Sequence, residues 1–146
     1  MTPETLAQIH AAAFRHDRAW SAREFAELLA SFHVALMTRP QGFALTRTLA
    51  GESELLTIAV APAAQNRGIG GALMGDWLNS LAGRADTAFL EVAADNLAAI
   101  ALYARHGFAQ IACRRGYYAR AAAAPVDALI MQRTMTRGQA PDSTAP

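Results

Sequence analysis

The sequence predicts an α/β protein, a single domain with a mixed, mostly antiparallel sheet and helices on both faces. An antiparallel hairpin is followed by two β-α-β steps, in which the apolar run 55–60 precedes a helical run at 69–81 and the strand 87–93 precedes a second helix and strand. A chain of 146 residues has room for one hydrophobic core. We therefore expect one domain over residues 1–136 and a loose polar tail over 137–146.

Two helices are predicted before the sheet begins. The first covers the segment 3–14, which starts with a proline suited to a first helical turn and then repeats apolar residues at helical spacing. The second begins after Ser21, because Ser21 and Glu24 have the spacing of a capping box. Trp20 and Phe25 occupy the positions of a hydrophobic staple around this box, so Trp20 has a structural explanation.

Turn residues and β-prone runs define the other elements. Runs at 34–38 and 43–49 are separated by a turn containing proline and glycine, which predicts a hairpin. A second turn at 50–53 leads into the strand that ends at residue 60. Gly107 is expected to end the helix that follows the strand 87–93. The last strand is predicted at 128–135, after an alanine-rich loop.

Composition excludes several functions. The net charge is only +1 and no block rich in Lys or Arg occurs, so we expect no nucleic acid partner. No run reaches the roughly 18 apolar residues that span a bilayer, and no secretory signal is evident, so a cytoplasmic protein without membrane attachment is expected. A single cysteine excludes an internal disulfide, and the four histidines lack ligand spacing, so no metal is expected.

The most distinctive segment joins the strand 55–60 to the next helix and reads Gln65-Asn66-Arg67-Gly68-Ile69-Gly70-Gly71. Unpaired N–H groups at the start of a helix, together with the helix dipole, favour an anion there. Neither the Walker pattern, which requires a lysine, nor the dinucleotide fingerprint matches this segment. Taken alone, it is either a phosphate cradle or a glycine-rich helix start that binds nothing.

The pattern Gln65-x-x-Gly68-x-Gly70 resembles the acetyl-CoA pyrophosphate motif of the GCN5-related N-acetyltransferase (GNAT) family. Further segments are similar to its ribosomal-protein-alanine N-acetyltransferase branch, in this order: Ile58-Ala59-Val60-Ala61-Pro62, Leu90-Glu91-Val92, Asn96, Ala98 to Tyr103, Gly107-Phe108 and Arg114-Arg115-Gly116-Tyr117-Tyr118. The resemblance covers roughly residues 55–135. Two departures lie on the acceptor side: no strand precedes the first helix, and Ala19 stands where proline commonly precedes the Trp-Ser pair.

The resemblance implies a fold in which two parallel strands splay apart and hold acetyl-CoA, and it assigns roles to residues. Glu91 would be the general base and Tyr103 the general acid. The residues implied in cofactor binding are Ile58, Ala59, Val60, Gln65, Asn66, Arg67, Gly68, Ile69, Gly70, Gly71, Asn96 and Tyr103. Those implied in acceptor binding are Trp20, Arg115, Tyr117 and Tyr118.

Glu91, Tyr103 and Asn96 also have explanations that need no catalysis or ligand. Glu91 lies on the less apolar face of its strand, where a solvated position is common. Tyr103 fits an amphipathic core tyrosine with its hydroxyl at the rim, and either Asp95 or Asn96 can cap the helix that follows the strand 87–93. Cys113 is expected to be a small buried apolar residue, which argues against an acetyl-cysteine intermediate.

The function implied by the resemblance is acetyl-CoA-dependent acetylation of a protein N-terminal α-amino group, namely the N-terminal alanine of a small-subunit ribosomal protein, by direct transfer in a ternary complex. The partner would then be the N-terminus of the acceptor protein. Two alternatives stay open: the same donor with a polyamine, an antibiotic amine or a lysine as acceptor, and a CoA-binding module without catalysis. The sequence does not determine the oligomeric state, and a monomer is compatible with it.

Overall fold

A computed structural model describes residues 1–135, and the tail predicted over 137–146 lies outside these residues. The helices are α1 (Pro3–Ala13), α2 (Ala22–Leu29), α3 (Ile69–Ser80) and α4 (Leu97–Arg105), with a short 3-10 turn at Pro62–Ala64 that the sequence did not predict. The strands are β1 (Val34–Arg39), β2 (Gly42–Leu49), β3 (Glu52–Val60), β4 (Thr87–Ala93), β5 (Ala109–Arg120) and β6 (Ala123–Thr134). No described helix is long and apolar enough to cross a membrane.

The six strands form one mixed sheet in the order β1-β2-β3-β4-β6-β5, which confirms the predicted α/β class. β3 and β4 run parallel, whereas the other neighbouring strands are antiparallel. The parallel pairing ends at Leu55 and Leu90, although β3 continues to Val60 and β4 to Ala93. The two strands therefore separate toward their carboxyl ends, as the resemblance implied.

Helices cover both faces of the sheet because side chains alternate along each strand. Ala44 of β2 belongs to a buried cluster with residues of α3 and α4, while its neighbours Phe43 and Leu45 belong to a second cluster with α1 and α2. A bulge leaves Leu56 of β3 without a partner in β2. Leu56 lies one residue beyond Leu55, the last residue of β3 that pairs with β4. The bulge toward β2 and the end of the pairing with β4 therefore occur at the same place in β3.

Local sequence signals placed the helix starts correctly. The Ser21 hydroxyl accepts from the Glu24 N–H and the Glu24 carboxylate accepts from the Ser21 N–H, both at 3.1 Å, which confirms the capping box. The rings of Trp20 and Phe25 lie 5.6 Å apart, in the predicted staple. Asn96 caps α4 through the Ala99 N–H. These features involve only near neighbours in the chain, so the sequence displays them directly.

The last hairpin differs from the prediction. The segment Arg114 to Tyr118 precedes the last strand, as expected, but it lies inside a long strand, β5, and the alanine-rich segment expected as a loop forms a tight turn and the start of β6. Ala122 has a positive φ of 59° in this turn. β5 is an edge strand that is exposed on both faces over most of its length. It therefore lacks the alternation of apolar and polar residues by which a half-buried strand is recognised.

Candidate active site

A cleft of about 710 Å³ opens where β3 and β4 separate. The end of β3, the glycine segment with the start of α3, the end of β4 with α4, and the segment around the end of α1 form its walls. Open α/β sheets bind ligands at the carboxyl ends of their strands, and the cleft lies at such an end. It brings together most of the residues that the sequence singled out.

The glycine segment forms one wall of the cleft. Gly68 is the N-cap of α3 with φ of 81°, and no side chain caps this helix. The first N–H groups of α3 are therefore free to bind an anion. A Cβ on Gly70 would lie 3.2 Å from Leu102 Cδ2, so the glycine allows α3 and α4 to approach closely. The Gln65 side chain donates to the Val60 carbonyl at 3.0 Å and ties the segment to β3.

The end of β3 forms the floor of the cleft. Ile58, Ala59 and Val60 line it beyond the point where the pairing with β4 stops. Among the described residues, no strand pairs with this edge, while β2 covers the other edge. The free edge offers backbone N–H and C=O groups to an extended ligand such as a pantetheine arm. Together with the uncapped start of α3, it fits CoA.

Glu91 lies in the cleft, with its side chain 27% exposed. Its Oε2 accepts a hydrogen bond of 3.0 Å from the Tyr118 hydroxyl, and Arg114 Nε lies 3.8 Å from its Oε1. Burial and the neighbouring Glu91 carboxylate raise the pKa of Tyr118. Tyr118 therefore stays protonated and serves as a hydrogen-bond donor that orients the carboxylate.

Tyr103 projects from α4 into the same cleft and is 6% exposed. Its ring packs against Phe108 within the core, and burial raises the pKa of its hydroxyl. Among the described residues, no hydrogen bond reaches this hydroxyl, yet it is not a fully buried polar atom. The tyrosine is thus a core residue whose protonated hydroxyl remains available in the cleft.

Asn96 can both cap α4 and contact a ligand in the cleft. Its side-chain oxygen accepts from the Ala99 N–H at 3.2 Å, which caps α4. The same residue lines the cleft, so the side-chain amide nitrogen is left for a ligand.

The remaining wall contains a stack of three rings, in which Trp20 was singled out from the sequence but His10 was not. His10 of α1 stacks on Phe14 at 4.4 Å and on Trp20 at 5.1 Å, and its Nδ1 accepts the Trp20 N–H at 3.2 Å. Burial lowers the pKa of His10 to about 4, so the imidazole is neutral. The spacing of four between His10 and Phe14 on the inner face of α1 was the available signal. Arg120, with Asp17 and Asp95, also lines the cleft. No sequence signal indicated Arg120 or Asp17, and the sequence offered Asp95 only as an alternative helix cap, a role that Asn96 takes.

Several predicted residues lie elsewhere. Arg67, Arg115 and Tyr117 are exposed and do not line the cleft. Cys113 is exposed on β5 rather than buried, which corrects the expectation for it. Partial desolvation of the sulfur by its neighbours and the hydrogen bond to Asp127 raise the pKa of its thiol, so it is a poor nucleophile. Within residues 1–135 no group of three or more His, Cys, Asp or Glu side chains could hold a metal ion.

Comparison with known proteins agrees with this geometry. A model of the acetyltransferase (GNAT) family matches residues 3–108. The chain is 36% identical over 122 residues to the [ribosomal protein bS18]-alanine N-acetyltransferase of Escherichia coli K12, covering 80% of this chain and 82% of that protein. It is 37% identical over 136 residues to the N-alpha-acetyltransferase RimI of Mycobacterium tuberculosis, covering 87% and 83% of the two chains.

Solved structures are similar as well. The crystal structure of the ribosomal-protein-S18-alanine N-acetyltransferase from Escherichia coli has a TM-score of 0.78 and 31% sequence identity, covering 99% of this chain and 93% of that one. Arabidopsis thaliana NAA60 in complex with acetyl-CoA shares the fold, with a TM-score of 0.74, 20% identity, and coverage of 91% and 93%. The family match over most of the chain, and a cleft that fits CoA, show that the chain belongs to the acetyltransferase (GNAT) family and is an acetyl-CoA-dependent N-acetyltransferase.

Proposed function

We propose that the protein acetylates a protein N-terminal α-amino group, the N-terminal alanine of ribosomal protein bS18, by direct transfer in a ternary complex. The observation that carries the chemistry is the position of Glu91 in the cleft where β3 and β4 separate, held there by Tyr118. The choice of acceptor rests on the relatives named for bS18 alanine. The proposed acceptor is made in the cytoplasm, so we place the enzyme there.

Glu91 is the proposed general base. An amine attacks only when it is neutral, and a free α-amino group has a pKa of about 8, against about 10.4 for lysine. An N-terminal acceptor is therefore already partly neutral at physiological pH. Glu91 accepts the remaining proton, directly or through a water molecule, while the Tyr118 hydroxyl keeps its carboxylate in one orientation.

Tyr103 is the proposed general acid. Bound acetyl-CoA supplies a thioester that is open to attack by the amine. Burial raises the pKa of Tyr103 above its ordinary value of about 10, whereas a free thiol has about 8.5. Proton donation from the phenol is therefore uphill at equilibrium. It must be coupled to departure of the thiolate. Within residues 1–135 the Tyr103 hydroxyl has no hydrogen-bond partner, so it is free to donate its proton to the leaving sulfur.

The other residues are proposed to bind and orient the two substrates. The first N–H groups of α3, from Ile69 to Gly71, bind the pyrophosphate, while Gln65 and Gly68 hold the segment in shape, and Asn66 lines the same wall. Arg67 is exposed beside it, where it contacts at most the outer phosphates.

The acceptor contacts we propose divide into two groups. Trp20 and Tyr118 line the cleft that also contains Glu91, and we propose that the first acceptor residue binds in this cleft. Arg115 and Tyr117 lie farther out on β5 and would reach only later acceptor residues. We assign the catalytic domain to residues 1–136.

The decisive experiment measures acetyl-CoA turnover by the purified protein against peptides that differ only at the N-terminal residue. The panel includes a polyamine, an aminoglycoside and an N-terminally blocked peptide with an internal lysine. We expect the peptide with N-terminal alanine to be the best acceptor. Preference for the polyamine, the aminoglycoside or the lysine would overturn the proposal. Thermal stabilisation by acetyl-CoA without turnover of any amine would instead indicate a CoA-binding module.

A further inference from the structure

The side chain of Arg120 joins three separate parts of the molecule. Its Nε and Nη2 donate to the two carboxylate oxygens of Asp95, at 2.8 and 3.0 Å, and its Nη1 donates to Asp17 at 3.1 Å. Arg120 ends β5, Asp95 lies in the turn between β4 and α4, and Asp17 lies in the segment between α1 and α2, 103 positions away. One guanidinium thus fixes two loops to a strand end.

This contact is more than a surface ion pair. The Arg120 side chain is only 9% exposed, and a buried charge is tolerated only when it is paired and hydrogen-bonded. Its planar fork meets Asp95 with two parallel hydrogen bonds, an arrangement that a lysine ammonium does not reproduce. The hydrogen bonds from Arg120 lower the pKa of Asp95, so this carboxylate stays charged.

Arg120 also stands behind the residue that orients the proposed base. Its guanidinium carbon lies 5.7 Å from the centre of the Tyr118 ring, and the Tyr118 hydroxyl donates to Glu91. Arg120, Tyr118 and Glu91 line the same cleft, together with Asp17 and Asp95. A displacement of Arg120 would therefore reach the Glu91 carboxylate through Tyr118.

The contacts of Arg120 point to one end of the cleft. Asp17 belongs to the segment 14–21, which lines the cleft through Phe14 to Arg18 and through the proposed acceptor-binding residue Trp20. None of the hydrogen bonds of Arg120 is with β3 or with residues 65–71. Loss of its contact with Asp17 should thus affect the acceptor wall and leave the segment 65–71, which is proposed to bind the pyrophosphate, unchanged.

We propose that Arg120 is a positioning residue for the acceptor: it fixes the segment 14–21 as the wall of the acceptor end, and it keeps Tyr118 where its hydroxyl orients Glu91. The inference rests on the proposed function, because it takes the acceptor amine to approach Glu91. If Arg120 only stabilised the fold, its substitution would leave the kinetics with the acceptor unchanged. Steady-state kinetics therefore separates a positioning role from a purely structural one.

The test compares Arg120→Lys with the wild type, using an N-terminal alanine peptide. We expect the KM for the peptide to rise about tenfold or more and kcat to fall a few-fold, while the KM for acetyl-CoA changes less than about twofold, since Arg120 contacts Asp17 in the acceptor wall but makes no hydrogen bond to residues 65–71. Asp17→Asn should raise the peptide KM in the same direction. The double variant should be less impaired than the product of the two single effects, because both act through one contact.

Hydrogen exchange supplies a readout that needs no acceptor. We expect faster exchange in the segment 14–21 of Arg120→Lys and of Asp17→Asn, with no change in residues 65–71. Should Arg120→Lys fail to fold, Asp17→Asn carries the test, because Asp17 is 35% exposed. Unchanged exchange in 14–21 would overturn the pinning of this segment.

Arg39→Lys is the matched control. Arg39 of β1 makes a similar two-bond contact with Asp76, at 2.9 and 2.8 Å, and lies outside the cleft. We expect both KM values to stay at the wild-type level in this variant. If Arg120→Lys lowers the melting temperature but leaves the peptide KM unchanged, Arg120 only stabilises the fold and does not position the acceptor. If the wild type turns over no N-terminal peptide, the proposed function fails, and exchange alone then decides whether Arg120 fixes the segment.

Discussion

At the scale of single residues, the arrangement around Glu91 depends on two strands that are distant in sequence. β4 supplies the carboxylate, and β5 supplies both Tyr118 and Arg114. Alternation along 87–93 was enough to place Glu91 opposite the buried Leu90 and Val92. Nothing local indicated that Tyr118 would reach it, because β6 lies between β4 and β5 in the sheet.

Glu91→Gln should fold normally and lose most activity. The amide keeps the size of the side chain and can still accept the Tyr118 hydrogen bond, but it cannot take a proton from the amine. We expect kcat/KM to fall by about 10²- to 10⁴-fold, the usual contribution of a general base. Glu54→Gln is the control, because Glu54 is a partly exposed strand glutamate paired with Arg47. Wild-type kcat/KM across the pH range would remove Glu91 from the mechanism.

Tyr103→Phe should lower kcat much more than it changes the KM for acetyl-CoA. The ring stays packed in the core, and the missing hydroxyl has no hydrogen-bond partner among the described residues, so the melting temperature should hardly change. Steady-state kinetics with thermal unfolding measures both effects. A raised KM for acetyl-CoA at unchanged kcat would mean that Tyr103 only binds the cofactor.

At the scale of elements, local signals placed helices well and the last hairpin badly. Caps and staples join residues a few positions apart, so α2 and α4 begin where the sequence indicates. β4 also has the predicted bounds, because one of its faces is buried. β5 is held by backbone pairing to β6 while its side chains stay exposed, and such a strand leaves no hydrophobic period in the sequence.

The start of α3 gives a prediction about backbone geometry. Gly68 has φ of 81° with nothing within 4 Å of an added Cβ, so Gly68→Ala should cost about 1–2 kcal/mol of backbone strain alone. Relief of that strain would turn the first N–H groups of α3 away from the pyrophosphate. We therefore expect weaker acetyl-CoA binding in calorimetric titration, together with a lower melting temperature.

Gly83→Ala separates the two effects. Gly83 also has a positive φ, of 71°, and open space around it, but it lies outside the cleft. It should lower the melting temperature by a similar amount and leave acetyl-CoA affinity unchanged. Equal affinities in both alanine variants would show that the geometry at Gly68 does not serve the cofactor.

At the scale of the whole molecule, the two apolar clusters share the strands of one sheet. Phe43, Ala44 and Leu45 are neighbours in β2, yet they alternate between the clusters. If β2 separated from the helices on one face of the sheet, the cluster on the other face would lose packing as well. We therefore expect the domain to unfold in one transition. A change in His10, on the buried face of α1, should therefore alter the fluorescence of Trp77, on the buried face of α3.

The pH dependence of stability tests this coupling. Burial lowers the pKa of His10 from 6.5 to about 4, so below pH 6.5 the unfolded chain takes up a proton that the folded protein does not. The free energy of unfolding should then decrease as the pH falls from 6.5 to 4, by up to about 3 kcal/mol, and this loss should be absent above 6.5. Urea unfolding followed by tryptophan fluorescence between pH 7 and pH 5 measures it.

Two variants complete this experiment. His10→Gln should flatten the pH dependence between 7 and 5, whereas His33→Gln, at an exposed histidine, should leave it unchanged. Glu24, whose pKa is lowered to about 2 chiefly by its hydrogen bond with Arg18, loses its contribution only at lower pH. Separate transitions in variants that retain only Trp20 or only Trp77 would contradict the single cooperative unit.

The sequence by itself determined the fold class and the place of the glycine segment before α3, because these depend on spacing within elements and on their order. Its ordered motifs also singled out Glu91 and Tyr103, both of which line the cleft. Only the tertiary structure decided which side chains meet. Tyr118 reaches Glu91, and Arg120 joins Asp17 to Asp95, through contacts that cross 25 to 103 positions of the chain. Such contacts depend on strand order and on the path of an exposed edge strand, which local hydrophobic periods and caps do not specify.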